Sequence, residues 1–188
     1  MRQLVRVARM ADQDGQRDTR VTPRLVIGQI RRQHFAVLST VGRDGAPHSA
    51  GVSYGSNGSG DAFAIYVMTR RHLLKARNIQ SDPRVSIVIP IPRPVLSFLP
   101  PATIQLHGRA ELLNWDDPNG TAVFEKFWMG RRILRGYQRA REDGESRVCF
   151  VKIVPEPQVS TYMVGYQIWE LRRNMESGSA KVILAPGM

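Results

Sequence analysis

A hydroxyl, two guanidinia and an ammonium lie within seven consecutive positions of this chain, at Thr69, Arg70, Arg71 and Lys75. Together these types suit the holding of an anion. They sit in residues 65–89, IYVMTRRHLLKARNIQSDPRVSIVI, which read as strand, polar corner, short helix, tight turn and strand. Residues 62–68 have the β-branched and aromatic density of a buried strand. Beyond the Thr69-Arg70-Arg71-His72 corner the period changes, and Leu73, Leu74, Ala76, Arg77 and Ile79 fit a helix of about two turns. Asp82-Pro83 ends it, because the residue before proline is pushed out of the α region. The open N–H groups of the helix's first turn add partial positive charge. A phosphate gripped by Thr69, those amides and Lys75 is one reading. A basic surface helix joining two strands is the other.

The elements that must position this corner follow from pattern. Thr22-Pro23 is a helix start, and Leu25, Val26 and Ile30 give that helix an apolar face. Residues 35–41 read as a strand, and Gly42-Arg43-Asp44-Gly45 as a turn that pairs it antiparallel with residues 46–54. Residues 55–61 (GSNGSGD) read as loop only. Residues 90–101 hold five prolines among apolar side chains, which excludes an interior strand and suggests a covered loop, either a dimer contact or a lid. Residues 102–113 form a strand with Thr103, Gln105 and His107 on one face. Residues 121–141 are helical, with Gly130 and Gly136 as possible dividers. A strand over 147–154, a break at Pro155-Glu156-Pro157 and extended structure over 159–169 complete the core. Hairpin connections mean antiparallel pairing, and a sheet of this length closes to remove its edges. The expected class is α+β: an antiparallel barrel of six or so strands with flanking helices. Residues 1–20 are read as a flexible arm, 21–170 as one domain and 171–188 as a patternless tail outside the core.

The chain has 188 residues and a formal charge of +11. Its cations are mostly arginine, recurring in pairs rather than in one tail, so an anionic small ligand, a nucleic acid or an Arg-rich surface all fit. No apolar run is long enough to span a membrane, and no secretory signal is evident, so a cytoplasmic protein is expected. The lone Cys149 reads as buried filler. The four histidines have no paired spacing, and no metal site is expected.

Three segments in order, AVLSTVGRDGAPHSAGVSY, then residues 65–89 with their K-x-x-N-x-x-x-x-P-R-V run, then ATIQLHGRAELL, resemble the pyridoxamine 5'-phosphate oxidase-like family. The resemblance implies a split β-barrel of the FMN-binding type, a homodimer, and a flavin-dependent oxidoreductase acting on a small organic substrate. It implies that Ser49, Ala50, Gly51 and Val52 line the flavin ring with main-chain groups. Met68-Thr69 takes the place of the family's aromatic-Thr pair, and Lys75 that of its phosphate-gripping lysine. The neighbouring position, often Arg, is Leu74 here, and Arg70 or Arg71 is offered as the replacement charge. Thr103, with Gln105 one step along the same face, falls where the family often has Gln. The tail has no Arg-x-His pair for a vitamin B6 phosphate, so that substrate is not expected. The family also contains members that use the deazaflavin coenzyme F-420 and members that bind haem. A reductase using F-420 and a non-enzymatic binding module are the alternatives, with nucleic acid the less favoured partner. His48, Tyr166 and Trp169 are further candidates near the ring, each equally at home as surface or interface side chains.

Overall fold

A computed structural model describes residues 21–59, 62–92, 101–165 and 178–184. Residues 93–100, expected within the covered dimer-contact or lid loop, and the aromatics Tyr166 and Trp169 lie outside the described residues.

Helix α1 (Pro23–Arg32) begins as its sequence dictates: the Thr22 hydroxyl accepts from the Leu25 N–H, and Pro23 occupies the first turn. Its face of Val26, Ile27 and Ile30 is buried. Strands β1 (Phe35–Val41), β2 (Pro47–Asn57) and β3 (Ala64–Arg70) follow, then helix α2 (Leu74–Ser81). Next come β4 (Arg84–Ile91), β5 (Ala102–Asn114), helices α3 (Pro118–Glu125) and α4 (Trp128–Glu142), and strands β6 (Val148–Tyr162) and β7 (Ser179–Ile183). The order across the sheet is β3-β2-β1-β4-β5-β6-β7, all described pairings are antiparallel, and β3 also pairs with β6. That pairing closes six strands into a barrel and leaves β7 as an appendage on the far half of β6.

Alternation along the strands sends Leu38, Val52, Tyr54, Ile65, Ile87, Ile104 and Leu106 into the barrel core. A second cluster lies outside the barrel wall, where Tyr66 and Met68 of β3 and Phe150 of β6 meet Val123, Phe124 and Leu134 of the α3–α4 pair. Cys149 is buried, and burial pushes its thiol above the ordinary value, as suits filler.

Four local expectations need correction. Strand β2 runs on through Gly55, Ser56 and Asn57, which pair with β3. Pro90 and Ile91 belong to β4, paired with Thr103 and Ala102; they lie beyond the end of the β1 pairing, where no ladder donor is needed on that side. Pro155-Glu156-Pro157 does not break the chain. Strand β6 continues through it with a register shift opposite Gly108. At Pro155 β6 has left β3, whose pairing ends at Ile153, and it first meets the β7 segment at Pro157, whose carbonyl accepts from the Leu184 N–H. Gly108 admits the close approach: a Cβ there would stand 2.4 Å from the Val154 carbonyl oxygen. Finally, residues 179–183 are not patternless but form β7, and Val182 joins the core cluster.

Candidate functional site

The candidate site lies where β2 outruns β3. The β2–β3 ladder covers only Tyr54 to Asn57, while residues 47–53 pair with β1 on one side and with no described strand on the other. The Tyr54 N–H donates to the His34 carbonyl and the Ala46 carbonyl accepts from Gly42, so even-numbered residues of this strand direct their main-chain groups toward β1. Alternation then aims the N–H and C=O groups of Ser49, Gly51 and Ser53 at the open edge. Sequence reasoning grouped Ser49, Ala50, Gly51 and Val52 alike. The register separates them, because Ala50 and Val52 spend their main-chain groups within the sheet and Val52 faces the core.

The opposite wall of this edge is the β3–α2 corner. Extending the β2–β3 register sets Thr69 level with Val52. Thr69 is fully buried and its Oγ1 has no hydrogen-bond partner. An unpaired buried hydroxyl costs about 1–3 kcal/mol, so an ordered water or a ligand atom is its natural complement. A turn closed by Leu73 N–H donating to the Arg70 carbonyl leads into α2. Its N-cap, Leu73, has no side chain able to cap, and the first-turn amides of Leu74 and Lys75 are left to an external acceptor. Lys75 is half-buried in that turn and has no ion-pair partner among the described residues.

Other expected residues are placed elsewhere. Arg70 turns away: its guanidinium lies 3.6 Å from a Glu145 carboxylate oxygen and 5.2 Å from the Tyr137 ring centre. Arg71 donates from Nη2 to the Asn114 side chain at 2.7 Å. Neither fills the role left vacant at Leu74. Met68 is buried in the outer cluster beside Phe124 and Phe150. Thr103 and Gln105 do stand together on the outward face of β5, paired across to Pro90 and Val88. However, Thr69 is level with Cys149 and hence with Asn114, nine residues along β5 from Gln105. By the other way round the barrel, Gln105 shares a register row with Gly51 through Val88 and Val37, three strand spacings or roughly 14 Å from it.

What sequence reasoning missed is a cleft of about 400 Å³ between the β1–β2 turn and α2, lined by Arg43, Asp44, His48, Leu74, Arg77 and Asn78. It places two arginines and a histidine beside the open edge. Arg43 is steadied by its Nε donating to Ser81 at 3.2 Å. No linear motif joins Arg43 to Arg77; only the hairpin register brings the turn over the helix. Leu74, 46% exposed, is the apolar floor where a relative would carry charge.

Among the described residues, no cluster of three His, Cys, Asp or Glu side chains is arranged to hold a metal ion. No helix among them is long and apolar enough to cross a membrane.

A search of curated proteins finds no match. Solved structures share the fold at low identity. HutZ, the heme storage protein from Vibrio cholerae, matches with a TM-score of 0.53 at 20% identity, over 74% of this chain and 94% of its own. A heme-binding protein from Mycobacterium smegmatis matches with a TM-score of 0.55 at 21% identity, over 74% of this chain and 51% of its own. A conserved hypothetical protein, Rv2991 from Mycobacterium tuberculosis, matches with a TM-score of 0.52 at 19% identity, over 72% of this chain and 81% of its own. These likenesses establish the architecture alone. A sequence profile described as pyridoxamine 5'-phosphate oxidase matches residues 26–163, which include the six barrel strands and the β3–α2 corner. The chain therefore belongs to the pyridoxamine 5'-phosphate oxidase family.

Proposed function

We propose that the chain is a flavin-dependent oxidoreductase that binds FMN with its phosphate at the β3–α2 corner and its ring along the open edge of β2. The observation that carries this is the buried, unpartnered Thr69 hydroxyl, set between an unpaired strand edge and an uncapped helix start. These residues fit the group. Thr69, Lys75 and the first amides of α2 hold a phosphate with charge-assisted hydrogen bonds. Ser49 and Gly51 offer main-chain donors and acceptors to ring heteroatoms, and Gly51 brings no side chain of its own between backbone and ring. When bound, the flavin supplies reversible hydride exchange with a small organic substrate. Amide donors fixed beside the ring stabilise negative charge that develops there.

A second copy of the chain completes the site. The outward face of β2, β1, β4 and β5 around Gly51, Val37, Val88 and Gln105 is a row in register, with Ser49, Ser39, Ser86 and His107 in the next row. These two rows contain no Asp, Glu, Lys or Arg, as an interface core requires. A two-fold pairing of this face carries Thr103 and Gln105 of one protomer toward the β2 edge of the other.

A deazaflavin reductase is the second reading, favoured by Arg43, Arg77 and His48 in the cleft beyond Lys75, which suit the acidic tail of F-420. One titration series separates the readings. Purified protein is titrated with FMN, F-420 and haem, followed by absorbance and fluorescence. FMN is expected to bind, with Lys75→Ala weakening it by about 10- to 100-fold, the loss of one charged hydrogen bond, while the unfolding midpoint stays put. Binding of FMN unaffected by Lys75→Ala removes the corner from the site. Preference for F-420, lost on Arg43→Ala and Arg77→Ala, selects the second reading, and haem binding alone rejects both. A monomer in light scattering at working concentration overturns the shared site.

A further inference from the structure

Helix α4 carries five arginines, Arg131, Arg132, Arg135, Arg139 and Arg141, against one carboxylate, Glu142, at its last position. Its inner face is spent on packing: Leu134 is buried, and Ile133 and Tyr137 pack on the cluster of Phe124 and Phe150. Its outer face bears Trp128, Arg132, Arg135 and Arg139 at i, i+4, i+7 and i+11, a single stripe about 16 Å long. None of these arginines forms an ion pair with a described residue. Trp128 is 59% exposed, with the Arg132 guanidinium 5.4 Å from its ring centre.

The stripe continues past the helix start. Lys126 donates to the Asn57 side chain at 2.8 Å, and Arg31 to the Gly58 carbonyl at 2.8 Å. Both are held by neutral oxygens, and neither is in an ion pair among the described residues. They line a recess of about 370 Å³ with His34, Ser56, Asn57 and Phe127. The track therefore runs from Arg31 through Lys126 and Trp128 to Arg139.

We infer that this track binds single-stranded nucleic acid, the cations following the phosphates and Trp128 serving as a stacking platform. Spaced guanidinia with an exposed indole among them are the elements of sequence-tolerant single-strand binding. An anionic membrane would use the same charges. But surface-lying helices insert an apolar face, and the apolar face of α4 is already inside the protein. The track involves none of the residues of the β3–α2 corner, so its test is independent of cofactor binding.

The test is fluorescence anisotropy of a labelled oligothymidylate of about twenty nucleotides against the full chain, across a salt series. Binding is expected at low salt, with a log–log salt slope of about −3 for four or five neutralised phosphates on a single strand. The double variant Arg132→Glu/Arg135→Glu is expected to lose at least tenfold in affinity. The charge-matched double variant Arg84→Glu/Arg109→Glu, on neighbouring exposed positions of β4 and β5 away from the track, should lose less than threefold. Trp128→Ala should lose about tenfold, the value of one stacked base. Circular dichroism melts of each variant separate lost binding from lost fold. Absence of binding at low salt overturns the inference, as do equal losses from the two double variants. So does binding of anionic phospholipid vesicles, but not the oligonucleotide, through the same arginines.

Discussion

Two buried threonines flank helix α2 and have opposite fates. Thr40, on β1, receives a hydrogen bond from the Asn78 amide at 3.0 Å, and both residues are buried. Thr69, at the end of β3, is more deeply buried and has nothing. The C-terminal half of the helix is thus finished internally, with its polar groups matched to the barrel wall. The N-terminal half ends without a cap, beside an unmatched hydroxyl and an unpaired lysine. A satisfied buried pair is a structural fastening. An unsatisfied hydroxyl of the same type, at the other end of the same helix, calls for a water or a ligand to complete it.

The contrast can be broken by substitution. Asn78→Ala strands the Thr40 hydroxyl and removes a buried contact, so it should cost about 2 kcal/mol in denaturant unfolding. A negligible cost would mean that the fastening is not one. Thr69→Val, nearly the same shape, removes an unpaired group and should leave the ligand-free protein unchanged or up to about 1 kcal/mol more stable. The same change should weaken FMN by about tenfold. If Thr69→Val destabilises the free protein as Asn78→Ala does, the two threonines are equivalent and the contrast fails. Arg70→Ala, whose side chain is turned toward Glu145, should leave FMN affinity unaltered in the same titration.

The smallest effect concerns the other buried atom without a partner, His34 Nδ1. The imidazole stacks on Phe127 at 3.7 Å. Burial holds its pKa below the ordinary 6.5, with the Tyr54 carbonyl pulling the other way. The unfolded chain therefore takes up a proton first. The stability linked to neutral His34 is whole above about pH 6.5 and is lost as pH falls through the lower folded value. Melting curves should show a midpoint that drops between pH 7 and pH 5, and His34→Phe should reduce that drop.

Legibility in the sequence followed locality. The Thr22-Pro23 start, the Gly42-Arg43-Asp44-Gly45 hairpin and the Asp82-Pro83 stop are short-range signals, and each element they bound was read to within a few residues. Thr69 and Lys75 fall at one corner, as read, because a single turn joins β3 to α2. What failed depended on partners distant in the chain. The prolines at 155 and 157 break a strand only where a ladder needs their missing N–H, and there the β3 pairing has ended, the β5 register shifts and the β7 segment uses only the Pro157 carbonyl. Gly130 was read as a divider of a long helix. The division falls instead at Lys126 and Phe127, and Gly130 is a contact point: a Cβ there would meet the Phe124 carbonyl oxygen at 2.2 Å. The arginines offered for the anion were the adjacent ones, Arg70 and Arg71, which turn to Glu145 and Asn114, whereas the hairpin register sets Arg43 and Arg77 in one cleft beside α2.

The bare margin of β2 has a cost beyond ligand affinity. Exposed strand rims recruit other strands, and this one has no lysine or charged side chain among residues 47–53 to discourage them. If FMN covers this rim as proposed, protein prepared without FMN should clump on standing through it. Adding FMN during purification should keep it dispersed, so that occupancy acts as the protein's own safeguard against aggregation.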